Sequence, residues 1–476
     1  MKIHHVKTSR SAVDFAPSFG SDFWGSNKVD LITGPNGSGK TEILASLAGG
    51  YRRGANKDFD FLCRWEDSSG RVNVSTSWRY EAPSRVIAQT FSPFNRFPKP
   101  NNEERSLSNI YIDEVVRNQN YICAGLNKSS RIVGGSLSKH TVEQAIFEFS
   151  ENMASAEAAL KMMDVLGFRD AFTLIFDARP SLKRVVDGIR QFGLEGFFDR
   201  LATDRYDPAY KRYLGSLRAL RNELKMTDWR RLAELLDTSL RFIGPTVDGH
   251  ESYELDFSFT GARSSTDYAT LQSLSLLRRL DLLSLRSCEI ADRYGKKFDI
   301  ASASSGQQQM LCSIIGLVAA LRDNSLVLID EPELSLHPRW QQLYLSSLRA
   351  ALMPLNGCHV LIATHSPLIV QAGQDCKAGI IQLGDEGSQV LRHEHASVEG
   401  TLMDVFDTPV RASTQLAAQI FKAISEAESG EVGRRLESEK ELARLKTLYS
   451  DPQFGESEEL HLINDAISLL SESAQG

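Results

Sequence analysis

The chain is 476 residues long, 42% hydrophobic and 24% charged, with a net charge of -7. That length holds one large core or two to three domains, and the acidic balance excludes a dedicated nucleic-acid coat, whose affinity comes from a basic excess. Six scattered cysteines without a CxxC pair exclude a disulfide framework, and no apolar leader or long apolar run stands out, so the expectation is a cytoplasmic protein without membrane contact.

In chain order, residues 2–7 alternate weakly and suggest a first edge strand. "KVDLITG" at 28–34 is a compact β run ending in glycine, and "VNVSTSW" at 72–78 and "RVIAQTF" at 85–91 are rich in β-branched residues. The polar, proline-bearing stretch 95–106 reads as loop. From about 140 to 245 apolar residues recur at three- and four-residue steps, the pattern of helices, with the basic residues of 211–231 on one helical face. "SYELDFSFTG" at 252–261 alternates as a strand, and "SLSLLRRLDLLSLRSCEIADRYG" at 273–295 reads as helix. "SLVLIDE" at 325–331 and "CHVLIATHS" at 358–366 have the form of buried parallel strands. Residues 379–395 suggest a hairpin turning over Asp385, Glu386 and Gly387, and the chain beyond 400 is helical and charged.

"GPNGSGKT" at 34–41 fits G-x-x-x-x-G-K-[ST] between a strand and a helix candidate. Gly34, Gly37 and Gly39 let the backbone wrap an anion, with Pro35, Asn36 and Ser38 completing the loop and its N–H groups turned to phosphate. Lys40 would reach the β- and γ-phosphates of ATP, and Thr41 would hold Mg²⁺ through its hydroxyl. "LVLIDEPELSLHP" at 326–338 is an apolar strand ending in two carboxylates. Asp330 would meet the Mg²⁺ shell, and Glu331 would polarise the attacking water. His365, just past another buried strand, would hydrogen-bond the γ-phosphate. "SASSGQQQML" at 302–311 breaks an apolar neighbourhood: Ser304 reads as a hydroxyl N-cap and Gly306 permits close backbone approach, so the helix start is a second candidate anion site. The pair of histidines in "HEH" at 393–395 has no third ligand in view and reads as no metal site.

Together these pieces resemble the head of ABC-type ATPases, most closely the stand-alone OLD, RecF and SMC-like branch, in which "EPELSLHP" and "ATHSP" are typical phrases. The resemblance covers residues 1–95 and about 250–395. It implies an α/β head: a mixed-sheet core with an antiparallel β subdomain, an inserted compact helical lobe and a helical C-terminal tail. The expected boundaries are 1–135 and 249–398 for the two lobes of the head, 136–248 for the helical insert and 399–476 for the tail. Ala303, Ser304, Ser305, Gly306 and Gln307 stand where the family carries its signature L-S-G-G-Q, which in that family closes over ATP held by a second copy. The resemblance therefore implies a homodimer around two ATP molecules. It also makes Gln89 the glutamine that contacts Mg²⁺ and the water. Ala303 and Ser305 depart from the signature, and His337 fills the position of the aspartate that follows the acidic strand, which points to slow hydrolysis.

About 264 residues separate Lys40 from Ser304, too few helical ones for the long coiled-coil arms of SMC proteins. About eighty residues follow position 395, without the acidic cluster of the OLD nuclease domain, so no nuclease activity of the chain's own is expected. The resemblance is strongest to the ATPase subunit of Septu-type anti-phage defence systems, also found with retrons. It implies a separate HNH-type nuclease effector, assembly of dimers up to a hexamer, and a DNA or phage trigger. Two alternatives stay open: a PARIS-like scaffold holding a different nuclease toxin, and a RecF- or SMC-like repair ATPase binding duplex DNA through the basic face at 211–231.

Overall fold

The structure, a computed structural model, describes residues 1–15, 21–50, 61–67, 69–76, 83–91, 96–98, 121–124, 142, 145–146, 153–203, 236–240, 252–258, 270, 273–274, 276–278, 282–334, 336–384, 387–391, 397–428, 432–450 and 457–472. The basic face at 211–231 and the histidine pair at 393–395 lie outside these residues.

Strands β3 (Lys28–Thr33), β12 (Ser325–Asp330) and β13 (His359–Ala363) are buried along their whole length. Near-continuous apolar runs of this kind suit the centre of a parallel sheet covered on both faces. They form the middle of a seven-stranded sheet of order β15-β14-β3-β13-β12-β6-β7, where β6 is Arg85–Thr90, β7 Tyr121–Ala124, β14 Gly379–Gly384 and β15 Gly387–Leu391. The pairings are parallel throughout except at the β15 edge, which closes the expected hairpin with β14.

Alternation along the strands divides the core in two. Ile32, Val86, Ala88, Leu326, Leu328, Leu361 and Ala363 face one layer, with Ile43, Leu44 and Leu47 of helix α1 (Lys40–Gly49). Full burial of each of those three helix side chains is worth about 1.5–3 kcal/mol. Leu31, Ile87, Val327, Ile329, Val360 and Ile362 face the other layer. Against them pack helices α2 (Met153–Leu166), α4 (Ser305–Ala320) and α5 (Pro338–Leu352), with α6 (Pro367–Asp375) alongside. The intervening helix α3 (Pro180–Thr203) is broken at Gly193, whose φ is 67°.

An antiparallel sheet, β2-β1-β4-β5, covers the α1 side. Its strands are β1 (Lys2–Lys7), β2 (Ala12–Asp14), β4 (Leu62–Glu66) and β5 (Val72–Ser75). Strand β1 pairs with both β2 and β4, so it is interior to this sheet and not the edge that the weak alternation suggested.

A third sheet, β11-β10-β8-β9, corrects two helical readings. Phe168–Ala178, inside the stretch expected to be helical, is strand β8, and Leu283–Asp292 is strand β10. In β8 the large residues Phe172, Leu174 and Phe176 are buried at period two. In β10 a register shift between Leu285 and Ser287 interrupts the alternation, and the leucines at helical spacing precede the strand, where residues 273–274 and 276–278 are helical. Strand β9 (Ser252–Phe257) pairs antiparallel with β8, and β11 (Lys297–Asp299) pairs with β10 and leads into the signature segment.

Beyond the hairpin the described residues form four helices: α7 (Val398–Val405), α8 (Thr414–Glu428), α9 (Val432–Tyr449) and α10 (Glu458–Glu472). Helices α8–α10 build their own apolar core around Leu416, Leu442, Leu445, Tyr449 and Ile463. Gln382 of β14 donates to the carbonyl of Val405 at 3.0 Å and ties this tail to the sheet.

Candidate functional site

Three adjacent strands end side by side. β3 runs into the glycine loop, β13 into Thr364 and His365, and β12 into Asp330 and Glu331. The carboxyl ends of parallel strands are where open α/β sheets bind ligands.

The glycine loop has the backbone that its glycines permit. Gly34 has φ 142°, and a Cβ there would meet the Leu383 carbonyl oxygen. Gly39 has φ 97°, and a Cβ there would strike the Ser11 hydroxyl. Lys40 folds back over the loop, its Nζ donating to the carbonyls of Gly34 (2.8 Å) and Pro35 (2.9 Å). Burial lowers the Lys40 pKa to about 8, against the pull of Glu331, Asp330 and Glu333. An anion arriving at the loop restores the charge that burial disfavours.

Thr41 Oγ1 donates to Asp330 Oδ1 at 2.9 Å and joins the glycine loop to the acidic strand across 289 residues of sequence. Burial raises the Asp330 pKa to about 6, with Glu331 adding to the shift and the Thr41 hydrogen bond and Lys40 opposing it. A hydroxyl and a carboxylate oxygen held 2.9 Å apart are hard ligands spaced like neighbours around octahedral Mg²⁺. Glu331 is held at φ 51°, a left-handed conformation uncommon for a side chain with a Cβ, and its N–H donates to Ala363 O at 2.9 Å. The bond fastens the end of β12 to that of β13. His365 is half-buried, and burial, then the nearby Lys40 charge, lowers its pKa.

Gln89 is not at this site. In the parallel register it pairs with Ile329, whereas Asp330 pairs with Thr90, so Gln89 faces the α4 layer. Its Nε2 donates to Ser313 O at 2.9 Å, and the side chain is buried. The expected contact with Mg²⁺ and water is therefore replaced by a tie to α4, and strand parity is the signal that separates the two.

Ser304 caps α4 as expected. Its Oγ accepts from Gln307 N at 3.3 Å, and Gln307 Oε1 accepts from Ser304 N at 3.0 Å, a reciprocal capping box. Ser305 and Gly306 form the first turn. The body of α4 packs on the sheet face opposite the one that α1 covers. His337 is likewise a cap: its Nδ1 accepts from Arg339 N at 3.2 Å at the start of α5.

Four contributors escaped the sequence reading. Ser11, in the β1–β2 turn, donates to Ser38 O at 3.1 Å, and the neighbouring Ser9 donates to Glu42 at 3.2 Å, so this turn braces the glycine loop. Glu333 accepts from Thr364 and His365. Gln309 Nε2 donates to Leu334 O at 2.6 Å and links the signature helix to the turn after Glu331. None lies in a recurring motif, and only the second glutamate of "EPE" offered a hint.

Residues 153–371 match the family model described as "AAA domain, putative AbiEii toxin, Type IV TA system". This range holds the signature helix, the acidic strand and His365, and the glycine loop lies outside it. Over 169 residues, 33% of the chain, the sequence is 31% identical to Protein ea59 of Escherichia phage lambda, and the match spans 31% of that protein's length. Among solved structures, the chain is similar to the SMC head domain from Thermotoga maritima, with 11% identity, 83% of this chain and 100% of that one covered, and a TM-score of 0.28. The Smc head domain with an extended coiled coil bound to the C-terminal domain of ScpA, derived from Pyrococcus furiosus, gives 11% identity, coverage of 82% and 96%, and a TM-score of 0.28. No described helix is long and apolar enough to cross a membrane.

Proposed function

We propose that this chain is an ATP-driven switch subunit, which pairs with a second copy around two molecules of MgATP and controls a separate nuclease effector in anti-phage defence. The observation that carries the nucleotide reading is the Thr41–Asp330 hydrogen bond, with Lys40, Glu331 and His365 gathered at the ends of the same three strands. Thr41 and Asp330 would hold the metal, which when bound neutralises charge between the β- and γ-phosphates. Lys40 grips the triphosphate, Glu331 orients the attacking water, and His365 senses the γ-phosphate.

Pairing is supported by the two anion-binding helix starts lying on helices that cover opposite faces of one sheet. A single copy presents them to different surroundings. A second copy brings its Ser304–Gln307 segment over the first copy's loop.

Control of an effector is supported by two things. The matched family's description names a toxin, and the tail helices α8–α10 leave Phe421, Leu436, Leu462 and Leu469 exposed. An HNH-type nuclease is the effector that the sequence resemblance favours.

The test is ATP turnover and native mass on the full chain. Lys40→Ala should abolish nucleotide binding. Glu331→Gln should bind ATP, stop turnover and accumulate the dimer. Wild-type turnover in Glu331→Gln would overturn the assignment. Native mass after co-expression with the neighbouring reading frames identifies the effector.

A further inference from the structure

The carboxylate of Glu333 uses both of its oxygens on one target. Oε1 accepts from the backbone N–H of His365 at 2.6 Å, and Oε2 accepts from the Thr364 hydroxyl at 2.9 Å. The Thr364 hydroxyl in turn accepts from Ser366 N at 3.0 Å, and Ser366 caps α6 through Ile369 N at 3.2 Å. His365 is thus fixed by its own N–H and by the residues on both sides.

The glutamate is itself held. Leu334 N donates to Glu331 O at 3.2 Å and closes the turn that carries Glu333, and Gln309 of the signature helix grips the same turn at Leu334 O. Burial raises the Glu333 pKa, opposed by the donors from His365 and Thr364, while the charge of Glu331 two residues away adds to the rise. Holding a carboxylate in so unfavourable a place takes charge-assisted hydrogen bonds, which are short and about twice as strong as neutral ones.

We infer that Glu333 is a positioning residue for ATP hydrolysis: it sets the place of His365 relative to Glu331, and so governs the chemical step through His365 without contributing to nucleotide affinity. The inference rests on the ATPase reading of the site. It makes no demand on the ionisation of Glu333, only on its two acceptor oxygens.

The experiment compares steady-state ATP hydrolysis of the full-length wild type, Glu333→Gln, Glu333→Ala, His365→Ala and the Glu333→Ala/His365→Ala double variant. Affinity for a fluorescent ATP analogue and melting temperature are measured on each. Glu333→Ala should lower kcat about 100-fold, the cost of misplacing a reacting group by about 1 Å. KM and analogue affinity should stay within about threefold. Glu333→Gln should recover about tenfold of that loss, because its amide oxygen still accepts the His365 N–H. In the His365→Ala background, Glu333→Ala should cost no more than about twofold.

Equal losses for Gln and Ala, additive with His365→Ala, would overturn the inference and make the carboxylate itself the reacting group. Loss of analogue affinity in step with kcat would overturn it as well. A second readout is independent of turnover. The His365 amide proton, in an amide-resolved NMR spectrum, should lie far downfield and move upfield in Glu333→Gln. An unmoved resonance refutes the Glu333 contact. Absent turnover in the wild type, with the amide shift as expected, refutes the ATPase reading instead.

Discussion

Two inactive variants, mixed, should restore a defined fraction of ATP turnover. Lys40→Ala removes the ammonium that sits over the glycine loop. Gly306→Glu places a negative side chain in the first turn of α4, where it would repel a phosphate. The second change should not harm the fold, since an acidic residue near a helix N-terminus is favourable by about 0.3–1 kcal/mol. Each variant alone should be dead. If each pocket takes its loop from one copy and its capped helix from the other, random pairing of equal amounts makes about half of the dimers mixed. In a mixed dimer one pocket carries both lesions and the other carries neither, so about a quarter of wild-type turnover should return at equal total protein. The control mixes wild type with the doubly substituted chain. Mixed dimers then contain no intact pocket, and turnover should again be about a quarter of the all-wild-type value. A chain that completes its own pocket would give about half in the control and nothing in the first mixture. That pair of results, with mixed dimers verified by native mass, would refute the composite pocket and the argument from opposite sheet faces behind it.

Three further outcomes follow from buried polar groups away from the candidate site. Gln89→Leu should leave the Mg²⁺ dependence of turnover unchanged while lowering stability by about 1 kcal/mol, read as a small fall in melting temperature, because the residue holds Ser313 O and faces away from Asp330; a large change in Mg²⁺ dependence would return it to the site. Asp30 accepts from His359 Nε2 at 2.7 Å and pairs with Lys28 at 3.1 Å, all three buried. Asp30→Ala leaves that ammonium unpaired and should cost about 3–5 kcal/mol, measured by denaturant or thermal unfolding. His359 Nδ1 accepts from Ile3 N, which fixes a neutral imidazole, and burial keeps its pKa below the ordinary value. Its protonation therefore favours the unfolded chain: the contribution is complete above a pH of about 6.5 and is lost as pH falls toward the lowered folded value. Melting temperature should drop over that window, less steeply in His359→Gln. Equal slopes would show that the titration lies elsewhere.

The strand ends of the candidate site were legible because each is written in consecutive residues. A glycine loop needs its glycines at fixed spacing, and a buried strand ending in Asp330 and Glu331 announces itself by a run of apolar residues that stops at charge. The capped helix at Ser304 was legible for the same reason, since a capping box spans four residues. Strand β10 was not: its buried set is split by a register shift, so period two never persists long enough to outweigh leucines at helical spacing. Gln89 was misassigned because a single residue's side of a strand depends on the register with its neighbour, which no local pattern states.

What stayed hidden in the site shares one property. Ser11 to Ser38, Gln309 to Leu334 and Glu333 to His365 are hydrogen bonds between a side chain and the main chain of a different segment. A main-chain partner carries no residue identity, so half of each pair leaves no mark in the sequence. The three bonds lie where one element must be held against another: the β1–β2 turn on the glycine loop, the signature helix on the turn after Glu331, and that turn on the His365 segment. Through the last two, in the proposed pair, a displacement of α4 on closing over a partner's nucleotide would reach Glu331 and His365 of its own chain across a single turn, residues 331–334. The two pockets of a pair would then be coupled by Gln309 and Glu333, at positions where neither residue touches phosphate.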